Sequence, residues 1–201
     1  TVLKELSGHW SDLSVHSMGA QIMELAFRDR RVTTPTEAAH MLQELYDPEF
    51  KFFKQTKHTT VAGIITDMPA KKTPITERLT RVVSKIIDKG LHVHTFAHRL
   101  MRDLCTVAGP DALTTLLPSL HEATLALSET VDGAWVVSFC IGHGGAKDRK
   151  KMVKAMKGFV LPCCKHPAAH MTVIKLLDST DDTVLLKKVL VAEISPHIGE
   201  L

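Results

Sequence analysis

Apolar residues return along this chain at spacings of three and four almost everywhere, whereas the strict alternation of a half-buried strand is scarce. Ile75, Leu79, Val82, Val83, Ile86 and Ile87 fall on one stripe of a helix. Met152, Val153, Met156, Phe159 and Val160 repeat the pattern, as do Leu185, Leu186, Val189 and Leu190. Pro35, Pro74 and Pro110 stand where helices should start, since a first-turn proline gives up no intrahelical bond, and Gly90 and Gly109 where they should stop. The spacing predicts helices over 2–15, 17–30, 36–54, 59–67, 75–88, 94–107, 111–128, 131–141, 147–164, 167–178 and 183–198. The chain reads as all-α, with short connections and no linker.

The helices recur in a repeat. The segments His94–Met101, Thr130–Val137 and His166–Val173 align without gaps, their starts 36 residues apart. His16–Met23 fits the same template 78 residues before His94, which leaves room for one diverged copy around Thr59–Thr66. A period of this length holding two or more helices predicts an α-solenoid, or superhelix, of about five repeats, in which neighbours bury a shared core and present a concave face. The approximate repeats are 1–34, 35–72, 73–109, 110–145 and 146–181, with a partial repeat over 182–201. In that partial repeat, Asp182 to Leu201 reads as a first helix whose second helix is missing.

Of the 201 residues, 44% are apolar and 23% charged, with a mean hydropathy of +0.04, enough to build a continuous core. No window approaches the ~20 uncharged apolar residues of a membrane-spanning helix, so no membrane partner is expected. Thr1 is not read as the natural start, and targeting signals can lie outside this segment. Cys105, Cys140, Cys163 and Cys164 form no CxxC and suit a reduced compartment. GxSxG, Walker A, GxGxxG and HExxH are all missing, so no enzyme is predicted. Among the 12 histidines, neither His92/His94/His98 nor Cys163/Cys164/His166/His170 supplies a fitting tetrahedral set, and no metal or cofactor is expected.

The net charge of +3 is mild, so its distribution matters more than its total. Between Gly142 and Lys157 stand Lys147, Arg149, Lys150, Lys151, Lys154 and Lys157, six cations against the one acid Asp148. Several share a helical face, and the preceding Gly142–Gly145 turn should leave backbone N–H groups open for a phosphate. Phosphate contact needs cations but no base edges, which fits weak sequence preference; the plain reading is a solvated helix face. His98, Arg99 and Arg102 make a second cationic patch on a helix expected to face the concave side. Asp181-Asp182-Thr183 reads as a capped helix start.

The 36-residue period with its His-x-x-Gly-Ala-x-Ile-Met helix resembles a Pumilio (PUF) repeat. Leu45–Lys54, Asp132–Ala134, Ala146–Lys151 with Lys154, Met156 and Lys157, and Asp181–Thr183 with Lys187 together resemble the Puf-A-like family. That resemblance implies a right-handed α-solenoid and the C-terminal part of a longer, L-shaped one. It also implies a monomeric, nucleolar or nuclear RNA-binding factor of rRNA processing and large ribosomal subunit biogenesis. Its partners would be pre-rRNA or other structured RNA, DNA as an alternative, and proteins of the pre-large-subunit particle. Base-reading trios of such repeats would map to Ala20/Gln21/Glu24, His98/Arg99/Arg102, Ala134/Trp135/Ser138 and His170/Met171/Ile174. None is a familiar base-reading combination, which argues against one base per repeat. Trp135 would stand at a stacking position, with packing as its alternative, and His170 would be a further RNA contact. The runner-up is a HEAT- or armadillo-type scaffold for protein partners.

Overall fold

In the computed structural model, which describes residues 2–51 and 57–200, the chain forms two compact units, Thr1–Ala112 and Leu113–Leu201. Phe52, Phe53 and Lys54, the end of one of the family-like runs and of the predicted 36–54 helix, lie outside the described residues, as do Thr1 and Leu201. The first unit holds α1 (Val2–Leu6), α2 (Trp10–Ser14), α3 (Ser17–Arg28), α4 (Pro35–Tyr46), α5 (Val61–Asp67), α6 (Lys72–Asp88) and α7 (Thr95–Ala108). The second holds α8 (Leu113–Ser128), α9 (Val131–His143), α10 (Ala146–Ala155), α11 (Val160–Lys165), α12 (His170–Ser179) and α13 (Thr183–Leu186). The π-helix Lys187–Val191 then leads into α14 (Ala192–Ile194). Among the described residues there is no strand.

Most predicted stripes are the core. On α6, Ile75, Leu79, Val82, Val83 and Ile86 are buried; beside them lie Phe96, Leu100 and Leu104 of α7. In the second unit Met152, Val153, Met156 and Val160 are buried, as are Val136, Cys140 and Ile141 of α9. Phe159 departs from its stripe and is exposed, because the predicted 147–164 helix breaks at Gly158 (φ 85°) and Phe159 becomes the N-cap of α11. The same device splits the predicted 2–15 helix at Gly8 (φ 92°), a backbone conformation that other residues rarely adopt. Pro48 ends the predicted 36–54 helix by the rule that the residue before a proline leaves the helical region; Asp47 is extended.

The repeat template has a physical reason in helix capping. Short helices gain little from propensity, so the open N–H groups of their first turn must find acceptors. The first template residue accepts from the N–H three residues on: His16 from Gly19 (3.2 Å), Thr60 from Gly63 (3.2 Å), Thr130 from Gly133 (3.0 Å) and His166 from Ala169 (3.2 Å). The fourth residue is small because the chain crosses close by: a Cβ on Gly19 would lie 2.8 Å from the Leu13 carbonyl oxygen. Thr60 thus marks the diverged copy expected around Thr59–Thr66. His94 departs from the rule. There Glu24 of α3 reaches across and accepts from the N–H groups of Thr95 (2.8 Å) and Phe96 (3.3 Å).

A second capping device joins neighbouring repeats and occurs in both units. The Glu44 carboxylate accepts from Gly8 N (2.8 Å) and Trp10 N (3.2 Å), at the start of α2. Glu193 does the same for Gly158 N (2.6 Å) and Val160 N (3.0 Å), at the start of α11. In each case a left-handed glycine turns the chain and a carboxylate from the following repeat closes the helix end, where the helix dipole favours it. Glu44→Ala is expected to destabilise the protein by about 1.5–3 kcal/mol in urea denaturation, because buried N–H groups lose a charged acceptor. Glu44→Gln, which keeps an acceptor, should cost less. An alanine variant as stable as the parent would show that the cap contributes nothing.

Candidate nucleic-acid interface

The predicted cation cluster divides into two groups by what each side chain touches. Lys147, Lys151 and Lys154 step along α10 by four and three residues, and Lys157 follows just beyond its end. All four are exposed, and none pairs with an acid among the described residues. Their side chains lie off the buried Met152/Val153 stripe that anchors α10. Arg149 is different. Its Nη1 donates to the Gly144 carbonyl (2.7 Å) and lies 3.5 Å from that of Ile141, at the end of α9, and its Nη2 is 3.6 Å from Asp181. Lys150 Nζ lies 3.9 Å from Asp182.

The two family-like runs Lys147–Lys150 and Asp181–Thr183 therefore meet, a contact that spacing alone does not reveal. Asp182 caps α13 by accepting from Leu185 N (2.9 Å), as the sequence suggested. The glycine turn before α10 departs from expectation. Gly144 N–H donates to the Cys140 carbonyl (2.8 Å), and Gly145 N–H to Asp148 Oδ2 (3.1 Å). A carboxylate at the third helical position already stands at this N-terminus, so the turn offers a phosphate far less than an open one would.

The second patch also changes. His98 is only 1% exposed, and its Nε2 donates to the His92 carbonyl (2.9 Å), so it is a packed core histidine rather than a surface cation. Arg99 stays partly exposed, with its Nε 3.2 Å from Asp103 Oδ1, and Tyr46 Oη donates to the other oxygen of Asp103 (2.6 Å). The buried Asp103 thus fixes Arg99 from behind. Arg102 is half-buried on the same helix.

On α9, Trp135 is 37% exposed and stacks on Phe139 (5.4 Å between centroids), which stacks on His143 (4.2 Å). Phe139 and His143 were not singled out from sequence, although their spacing of four from Trp135 was a visible signal. On the adjacent α12, Met171 and Ile174 are exposed, while His170 donates from Nδ1 to the His166 carbonyl (3.0 Å). Trp135 and Met171 thus offer ring and thioether surface, and Ile174 no polar atom. Glu24, mapped as an edge reader, is instead spent on the start of α7. Among the described residues no group of three His, Cys, Asp or Glu could hold a metal ion. Burial pushes the Cys105 thiol up to about 12.

No family model matches the chain. It is 30% identical to Pumilio homolog 3 of Mus musculus over 195 residues, 96% of this chain and 30% of that protein. Pumilio homolog 24 of Arabidopsis thaliana is 29% identical over 203 residues, 99% of this chain and 31% of that protein. The chain thus spans about a third of the length of these curated relatives. The crystal structure of human Puf-A in complex with DNA matches with a TM-score of 0.85 and 28% identity, over 99% of this chain and 39% of that one. PUF-8 in complex with PBE-RNA matches with a TM-score of 0.51 and 11% identity, over 100% of this chain and 59% of that one, a likeness of fold alone.

The division of the cluster is directly measurable. Arg149→Ala should lower stability by about 1–3 kcal/mol in thermal denaturation, since it strips a charged donor from the end of α9. Lys151→Ala should stay within about 0.5 kcal/mol, as an exposed side chain without a partner does. Equal effects of the two substitutions would erase the distinction.

Proposed function

We propose that this chain, which belongs to the Puf-A-like Pumilio repeat proteins, binds nucleic acid through its phosphates with little preference for sequence. The observation that carries this reading is the row of exposed lysines Lys147, Lys151, Lys154 and Lys157. Ammonium groups on flexible stems meet phosphates as point charges and release counterions, without reading base edges. The mapped edge positions point the same way, since Ala20, Ala134 and Ile174 present no hydrogen-bonding side chain and Glu24 is engaged. The related human Puf-A was crystallised with DNA and the similarly folded PUF-8 with RNA. The Pumilio repeat fold replaces the HEAT or armadillo scaffold as the frame for these residues.

On this reading RNA is the natural ligand, DNA an alternative one, and the chain is a non-enzymatic monomer that acts by binding. Its setting is rRNA processing and large ribosomal subunit assembly in the nucleolus, beside proteins of the pre-large-subunit particle. The likeness of its Lys147–Lys150 and Asp181–Thr183 runs to the Puf-A-like family supports that setting. Trp135 and Arg102 serve as secondary contacts, the one by stacking and the other by charge.

The test spares the structural cations. Lys147→Glu, Lys151→Glu and Lys154→Glu together should weaken binding to unstructured RNA by about tenfold or more at moderate salt, through lost phosphate contacts and repulsion. Circular dichroism and melting temperature should stay near those of the parent. Undiminished binding by this folded variant would leave the lysine row as a solvated face and overturn the reading.

A further inference from the structure

Three Ser/Thr-Pro dipeptides occur in the chain, Thr34-Pro35, Thr73-Pro74 and Ser195-Pro196, and the fold sets the first apart. Thr73 lies inside α6 and Ser195 in a 3₁₀ turn, both in helical backbone. Thr34 is exposed and extended (φ −70°, ψ 159°), at the end of the connection between α3 and α4. Its hydroxyl bonds only within the first turn of α4: it donates to Glu37 Oε2 (2.8 Å) and accepts from Glu37 N (3.3 Å). The Thr34 N–H donates to the same carboxylate (2.8 Å). A protein kinase needs the acceptor hydroxyl in line with the γ-phosphorus, which an extended segment permits and a helical one hinders. A proline after the acceptor has no N–H to leave unsatisfied in the kinase cleft.

We infer that Thr34 is a phosphorylation site for a proline-directed protein kinase, and that phosphate there exchanges the Thr34–Glu37 capping box for a pair with Arg30. Thr34 Oγ1 attacks the γ-phosphorus of magnesium-bound ATP, the bond from that phosphorus to ADP breaks, and the hydroxyl proton passes to the kinase's base. The product carries nearly two negative charges where a hydroxyl donated a hydrogen bond. It no longer donates to Glu37, whose carboxyl the Thr34 N–H and hydroxyl hold below the usual carboxylate range, and the two anions repel. On the other side stands Arg30, exposed and paired with no acid among the described residues, which lines one cavity with Pro35. Arg31 does not compete, because Asp29 takes its guanidinium at 2.9 and 2.7 Å. A guanidinium fork suits a phosphate with paired hydrogen bonds. The exchange takes place at the start of α4, the helix that also carries the Glu44 cap of α2.

The test treats the full chain with magnesium ATP and a proline-directed kinase of the cyclin-dependent class. One phosphoryl group should be gained, and fragmentation mass spectrometry should place it on Thr34. Thr34→Ala should lose it, as should Pro35→Ala, which keeps both the hydroxyl and the cap and so decides the matter if Thr34→Ala does not fold. Thr73→Ala and Ser195→Ala should be phosphorylated as the parent is. Phosphorus NMR of the phosphorylated chain then reads the neighbours against the second ionisation of a free phosphothreonine, about 6. Arg30→Ala should raise that ionisation relative to the parent and Glu37→Gln should lower it, since one removes a cation and the other an anion. Phosphate on Thr73 or Ser195 in place of Thr34 would overturn the site, as would a folded chain left unmodified while a peptide of residues 29–40 is phosphorylated. An unchanged ionisation in Arg30→Ala would overturn the exchange.

Discussion

Closing the N-termini of short helices is the constraint on which this structure depends. Its helices are mostly between one and four turns long, and such helices do not persist in water on their own. Each therefore needs acceptors for the N–H groups of its first turn, and the chain supplies them in two ways. A residue at the head of the repeat template, His16, Thr60 or Thr130, caps its own helix, and His166 accepts from the turn that leads into α12. A carboxylate from another repeat, Glu24, Glu44 or Glu193, caps others. The second way ties sequence-distant segments together through the same bonds that satisfy the helix ends.

That constraint also sorts the charges. Where a charge is needed at a helix end it becomes structural: Arg149 on the last carbonyls of α9, Asp148 at the start of α10, Asp182 at the start of α13. What remains free for a ligand is the set of cations that no helix end requires, Lys147, Lys151, Lys154 and Lys157. A dense basic run thus holds two populations with different work. One aligns the repeat, and the other is left facing solvent.

Helix positions and the repeat were legible in the sequence because apolar spacing and capping chemistry are local. Thr130 and Gly133 are three residues apart, and Ile75 to Ile86 lie within one helix. The breaks at Gly8 and Gly158 were not legible, since an isolated glycine in a helical pattern is ambiguous until the Glu44 or Glu193 that closes the following turn is known, some 35 residues away. The site was legible in outline and misread in detail for the same reason. Arg149 looks like Lys151 in a list of cations, and only the approach of Asp181 and the Gly144 carbonyl tells them apart. His98 carries a polar ring, yet its position on α7 turns that ring into the core, onto the His92 carbonyl.

The central claim is that phosphates rather than bases carry the affinity. Its most direct test is the affinity of the parent chain for several unrelated unstructured RNAs of equal length, each measured across a range of salt. The account predicts straight lines of log affinity against log salt with slopes of roughly −0.7 per neutralised phosphate, and values for the different sequences within about tenfold of one another. A marked preference for one short motif that survives high salt would contradict it.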